Sequence, residues 1–289
     1  MNLHGQLTDR ALLQLYLKPV SPLHIGTGEE FLKGVVQFTV NGRRIPIIPA
    51  ESIKGVLRAE AGRLAPSLRF REPTAADVVN NHRKDKHELP DRYLPDAATL
   101  IARLFPYHAQ QRELQESREA TLEVYASYHC PICKLFGSRY LAGKLLITDG
   151  IPVGEVGLGV YTSTAIDRET RTVAENRLFK LQYVQPNEDL RFIVQVIADN
   201  LLDSDEGLLL GALLDFMLEG GLRLGGAKSR GYGLTQIDEQ SSRVSLAIFN
   251  TNPASEEQKI ENLKKLLFLK GSYEELSLRE FVKKLRAHA

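Results

Sequence analysis

LRFIVQVIADNLLDSDEGLLLGALLDFMLEGGLRLGGAKSRGYGLTQID, residues 190–238, is the stretch on which the fold turns. In LRFIVQVIAD, Phe192, Val194 and Val196 alternate with their neighbours, the period of a strand with one buried face. EGLLLGALLDFMLEG then reads as a helix apolar enough to be buried on several sides. A glycine-rich loop, GGLRLGGAKSRGYG at 220–233, leads into a second strand, YGLTQID. The unit is therefore strand, helix, strand.

Upstream, the same order occurs once more. In ALLQLYLKPV, residues 11–20, Leu13, Leu15 and Leu17 share one side, and Pro19 and Pro22 end the strand. VVQFTVNGRRIPII, residues 35–48, reads as a hairpin, with Asn41-Gly42 supplying the left-handed pair of a tight turn. ESIKGVLRAEAGRLA follows as a helix with Ser52 as its N-cap. Its apolar stripe is Ile53, Val56, Leu57 and Leu64, while Lys54 and Arg58 sit one turn apart on another side. GKLLITDG, residues 143–150, is a further strand. With insertions set aside, the order is βαββαβ. That is an α+β, ferredoxin-like (RRM-like) core with an antiparallel sheet and helices on one face.

Two segments do not fit the core. Residues 66–135 carry many charges, several histidines and prolines at 66, 73, 90, 95 and 106, so they read as an insertion. Residues 151–189 read as a second, extended excursion. The expected organisation is one domain over 1–240 with these two insertions, then a helical C-terminal extension over 241–289. Leu266, Phe268 and Phe281 in that extension need a surface to pack on.

Hydrophobic residues make up 43% and charged residues 25% of the 289 residues, enough to build a core and against wholesale disorder. No run reaches the roughly 18 apolar residues of a membrane span. The N-terminal residues do not resemble a signal peptide, so a cytoplasmic protein without membrane contact is expected. With 37 basic and 36 acidic residues the net charge is +1, so a nucleic-acid site has to be a local patch.

Four places can carry chemistry. In the loop 220–233, glycines surround Arg223, Lys228 and Arg230. Absent Cβ atoms would let a phosphate reach backbone amides, or the loop is a plain surface hairpin. A P-loop is excluded, because an alanine separates Gly226 from Lys228 and the loop opens a strand rather than a helix. The entry to the first helix offers amides to an anion beside Lys54 and Arg58, or those two form a solvated face. Cys130 and Cys133, the only cysteines, form a C-x-x-C. Such a pair can hold half a zinc site, act in redox, or remain two buried thiols. Histidine candidates to complete a tetrahedron are His82, His87, His108 and His129; the expected set is Cys130, Cys133, His129 and His108. His24 is a possible general acid or base, or a structural histidine.

LHIGTG (23–28), IPIIPAESIKGVLR (45–58), CPICKLFG (130–137), GKLLITD (143–149), AIDRET (165–170) and GGAKSRGYGL (225–234) resemble, in order, the motifs of the RAMP superfamily. The form is most similar to the repeating backbone subunits of type III CRISPR effector complexes, over roughly residues 11–238. The resemblance implies a palm that stacks along a guide RNA and grips its sugar-phosphate chain. The residues it implies are Ser52, Lys54 and Arg58, with Gly225, Gly226, Lys228, Ser229 and Arg230. It implies a thumb hairpin within 155–185, structural zinc at the C-P-x-C motif, and four kinds of partner: crRNA, target RNA, neighbouring RAMP subunits and the large polymerase-like subunit. Cleaving relatives carry an aspartate where this chain has Gly34-Val35-Val36-Gln37. An amide at Gln37 cannot ionise, so no cleavage is expected there, unless Glu29 or Glu30 is presented instead. The rival readings are a RAMP endoribonuclease acting through His24, and a metal-stabilised module that touches only protein.

Overall fold

The computed structural model describes residues 6–26, 32–40, 42–83, 86–104, 117–166 and 173–287. The chain opens with β1 (Asp9–Pro19), the short β2 (Leu32–Lys33) and a hairpin of β3 (Gln37–Val40) and β4 (Arg43–Pro46). Asn41 lies outside the described residues; Gly42 takes φ +75°, the left-handed value expected of it. After α1 (Ala50–Leu64) comes the first insertion: α2 (Pro73–Asn80), β5 (His82–Arg83), β6 (Lys86–His87), α3 (Leu94–Leu104), α4 (Arg118–His129) and α5 (Pro131–Phe136). The chain then gives β7 (Leu145–Ile147), β8 (Ile151–Val153), and the long hairpin β9 (Leu158–Ile166) and β10 (Val173–Val184). Next are β11 (Arg191–Asp199), α6 (Asp205–Gly220), β12 (Leu222–Arg223) and β13 (Leu234–Ile237). The last elements are β14 (Arg243–Ile248), α7 (Glu256–Leu266), β15 (Glu274–Leu276) and α8 (Leu278–Arg286).

The main sheet runs β12-β13-β1-β11-β7 and is antiparallel throughout. β1 and β11 pair from Arg10 opposite Asp199 to Leu17 opposite Phe192. The other edge of β1 is shared: β13 takes residues 17–19 and β14 takes 9–14. The far edge of β11 is shared likewise by β7 and β8. Strict alternation decides which face is buried. Ala11, Leu13, Leu15 and Leu17 of β1, and Phe192, Val194, Val196 and Ala198 of β11, all face the core. Ile53, Leu57 and Ala61 of α1 and Leu209, Leu210, Leu213, Leu214 and Met217 of α6 join the same core cluster. Each Val, Leu, Ile, Phe or Met among them contributes about 1.5–3 kcal/mol of burial. α6 is apolar almost all round because α1, α5 and α8 also pack on it.

Two expectations change. α1 starts at Ala50 with Pro49 as N-cap, not at Ser52. The acceptor comes from afar: Asp149 Oδ1, after β7, takes the Ala50 amide at 2.7 Å. The segment after 241, read as helical, also adds strands to the sheet. Val244 and Leu246 of β14 are buried, and Phe281 and Leu285 of α8 pack in the core, while Leu266 on α7 stays exposed. Short alternating runs between charged stretches hide a strand from a helix-period reading.

The first insertion is tied to the core by charge. Ser204 caps α6, accepting from the Gly207 amide at 3.0 Å. Asp205 accepts the amides of Arg71 and Glu72. Glu206, only 3% exposed, lies between Lys134 Nζ at 3.1 Å and Lys144 Nζ at 3.0 Å. Burial opposes its ionisation, but the two ammonium groups outweigh it and hold the carboxyl below its ordinary range.

Glu206→Gln leaves Lys134 with only Glu72, at 3.7 Å, and Lys144 with only the Asn200 carbonyl, and is expected to cost about 1.5–3 kcal/mol, read from denaturant melts. Because the folded pKa is depressed, this contribution is present at neutral pH. It fades as pH falls below about 4.3, the unfolded value, towards the folded one. The variant's stability should therefore fall less steeply between pH 5 and pH 3 than the wild type's.

Candidate functional site

Cys130 and Cys133 flank the start of α5 and are buried, at 0% and 1% exposure. The histidines that meet them are His82 and His87, which face each other across the β5–β6 pair. His82 Nδ1 lies 3.7 Å from Cys130 Sγ, His87 Nε2 lies 3.8 Å from Cys133 Sγ, and the two ring nitrogens are 2.9 Å apart. All four donor atoms fall within 4.8 Å of one another. Two thiols and two imidazoles at such spacing can hold a metal ion and suit zinc, whose bonds of about 2.0–2.3 Å place ligand atoms some 3–4 Å apart. Behind them, Glu123 accepts from the His87 ring at 3.0 Å and its backbone amide at 2.8 Å, aiming Nε2 at the thiols.

The electrostatics favour a cation. Burial opposes ionisation of Cys130, yet bonds from Cys133, His82 and His87 bring its pKa well below the ordinary thiol value. Cys133 is pushed up, first by its bond with Cys130 and then by burial. Burial works against the charged His87 ring, but Cys130 and Glu123 prevail and push it up to about 9.

This corrects the expected ligand set. His129 turns away, with Nδ1 at 3.2 Å from Glu72 and its ring 4.5 Å from that of Tyr125. His108 lies outside the described residues. The signal is in the sequence: HRKDKH sets two histidines at the ends of a polar stretch, as a hairpin would.

Arg58 connects this cluster with an open groove of about 610 Å³ lined by Lys54, Arg58, Gly137, Ser138, Arg139 and Gly143. Its guanidinium points inward, giving Nη1 to the Gly137 carbonyl at 2.9 Å and approaching Cys133 Sγ at 4.0 Å. Its Nε is buried with no partner. The amides at the start of α1 are also engaged: Ala50 with Asp149, Ser52 and Ile53 with the Pro49 carbonyl. The sequence pattern offered those amides to an anion; the fold uses them internally.

The glycine-rich loop behaves similarly. Gly225 has φ +75°, and a Cβ there would lie 2.1 Å from the His24 carbonyl oxygen. The Gly226 amide donates to that same oxygen at 2.8 Å. These glycines allow close packing on residue 24, which occupies the Gly226 amide. His24 itself is buried, its Nδ1 2.7 Å from the Gln182 carbonyl. The loop tip, Lys228, Ser229 and Arg230, is an exposed 3-10 turn. Partial burial lowers the Lys228 pKa; the charge of Glu60 raises it and that of Arg63 lowers it. Among the described residues Lys54, Lys228 and Arg230 have no carboxylate partner.

The family model of the RAMP superfamily matches residues 16–236. The chain belongs to the RAMP superfamily. No curated protein matches it. RAMP membership carries a CRISPR-associated role in RNA binding in general. Within this RAMP fold, Gln37 opens β3 opposite Pro46. Glu29, Glu30 and residues 167–172 lie outside the described residues. No helix among the described residues is long and apolar enough to cross a membrane.

Glu123→Ala is expected to weaken zinc binding by about 10–100-fold, and His129→Ala to leave it unchanged, in competition titrations with a chromophoric chelator. Metal loss in the His129 variant would refute the ligand set. Gly225→Ala is expected to cost at least about 1–3 kcal/mol, because it combines left-handed strain with a backbone clash, read as a lowered urea midpoint.

Proposed function

We propose that this chain is a guide-RNA-binding backbone subunit of a type III CRISPR ribonucleoprotein in antiviral defence. Two sets of cations without carboxylate partners carry the reading: Lys54, which lines the groove beside Arg58, and Lys228 and Arg230, which flank Ser229 at the exposed tip of the glycine-rich loop. Cations that read no bases suit a guide whose sequence varies while its phosphates repeat. Arg58 walls the same groove and holds its shape. Gly225 and Gly226 position the loop.

The order β1, α1, β7/β8, β11, α6, β13, with β1 and β11 central, supports a ferredoxin-like palm. The β9–β10 hairpin is the proposed thumb, and the His82–His87–Cys130–Cys133 cluster the proposed structural zinc site. The partners proposed are crRNA, target RNA, neighbouring RAMP subunits and the large polymerase-like subunit, in the cytoplasm. Gln37 in place of an acid, and a buried His24 held by a carbonyl, favour holding RNA over cutting it.

The test is RNA binding by the purified chain and its assembly. Lys54→Ala, Lys228→Ala and Arg230→Ala should each weaken binding equally for unrelated RNA sequences. Each should also lower the slope of log affinity against log salt by about 0.7–1. A defined-length RNA should copurify with the assembly. Affinity that ignores all three substitutions, or cleavage of bound RNA by the chain alone, would overturn the reading.

A further inference from the structure

Where the β9–β10 hairpin approaches the glycine-rich loop, Tyr183 and Tyr232 meet ring to ring and Tyr161 shares the hairpin face with Tyr183. Register places Gly159 opposite Tyr183 and Tyr161 opposite Leu181. Alternation then puts Gly159, Tyr161, Leu181 and Tyr183 on one face of the hairpin. The Tyr183 ring covers Gly159: a Cβ at 159 would lie 2.5 Å from its Cζ. On its other side Tyr183 meets Tyr232, edge to face, with centroids 5.8 Å apart and planes at 82°. Tyr232 follows Arg230 by two residues on the loop. Its hydroxyl pKa is raised by burial and by the hydroxyls of Tyr183 and Tyr161, and lowered by Arg230. Tyr161 remains 51% exposed.

A single exposed ring on a strand is ordinary. Three rings from two elements, edged by Arg230 and Lys228 without carboxylate partners, offer something more particular. A tyrosine face stacks on any base, and nearby cations take the phosphates of the same strand. We propose that Tyr161, Tyr183 and Tyr232 form a stacking platform for an unpaired nucleobase of the RNA whose phosphates Lys228 and Arg230 hold. The inference rests on the RNA-binding reading above and adds a contact to bases that the cations alone would not make. Stacking is indifferent to base identity, so it remains compatible with a guide of any sequence.

The sequence contains ten tyrosines and no tryptophan, so tyrosine emission is visible, and the quenching lost in the Tyr161 and Tyr232 variants relative to wild type isolates these rings from the other tyrosines. The full chain is titrated with a single-stranded RNA and with an abasic ribose-phosphate oligomer of the same length. Wild type should bind the RNA more tightly and show quenched tyrosine emission with it alone. Tyr161→Leu and Tyr232→Leu should each lose about ten-fold or more in affinity for the RNA and none for the abasic oligomer. Tyr161→Phe and Tyr232→Phe keep a stacking ring and should bind within about two-fold of wild type. Melting curves confirm that the variants are folded; Tyr161, on the surface, is the safer of the two. Leucine variants that bind RNA like wild type, or that lose both oligomers alike, overturn the platform. If Lys228→Ala and Arg230→Ala weaken binding while the leucine variants do not, only the platform fails and the rings are left to a protein partner. If wild type binds neither oligomer, the RNA-binding reading fails as well.

Discussion

β1 is hydrogen-bonded along both edges, and both sets of partners come from the far end of the sequence. Arg10 lies opposite Asp199 on one side and Ala247 on the other. This double ladder forces the first strand, the second half of the core and the C-terminal strand into one sheet. The entropy of closing such long loops rises only slowly with their length. Two large excursions can therefore interrupt the core without disturbing its register. The shared edges have a second effect. β13 follows the glycine-rich loop and pairs with the end of β1, so the loop lands beside residues 20–26. That contact brings His24, Gly225 and Gly226 together and leaves the loop tip exposed.

Much of this was legible in the residues. Leucines at alternate positions of β1 and apolar residues at alternate positions of β11 fix which face is buried. The apolar run of α6 and the stripe on α1 predict their helices. Less legible were contacts that depend on distant partners. Ser52 is a good capping residue by type, but Asp149 supplies the acceptor for the start of α1, and no local pattern announces that. His82 and His87 reach the cysteine pair only because a hairpin, α4 and α5 fold back on one another. β14 was hidden because its alternation is short and lies between charged stretches.

The glycine-rich loop holds the more general lesson. Glycines and a helix start invite an account in which backbone amides cradle an anion. Here the amides of Gly226, Ala50, Ser52 and Ile53 are bound within the protein. Charge at the surface is delivered by the side chains of Lys54, Lys228 and Arg230 instead. Long cationic side chains adapt to small shifts of a strand, whereas a backbone nest demands one geometry. Glycine contributes earlier, by letting the loop pack against residue 24 and so fixing where Lys228 and Arg230 emerge.

The His82–His87–Cys130–Cys133 cluster fastens two ends of the first insertion to each other and, through α5, to α6. A chain clasped at both ends can grow or shrink between them at an energetic cost that rises only with the logarithm of its length. Between the two ends, α3 nonetheless packs on the same core through Ala97, Leu100 and Leu104, so that helix is held by burial as well as by the clasp.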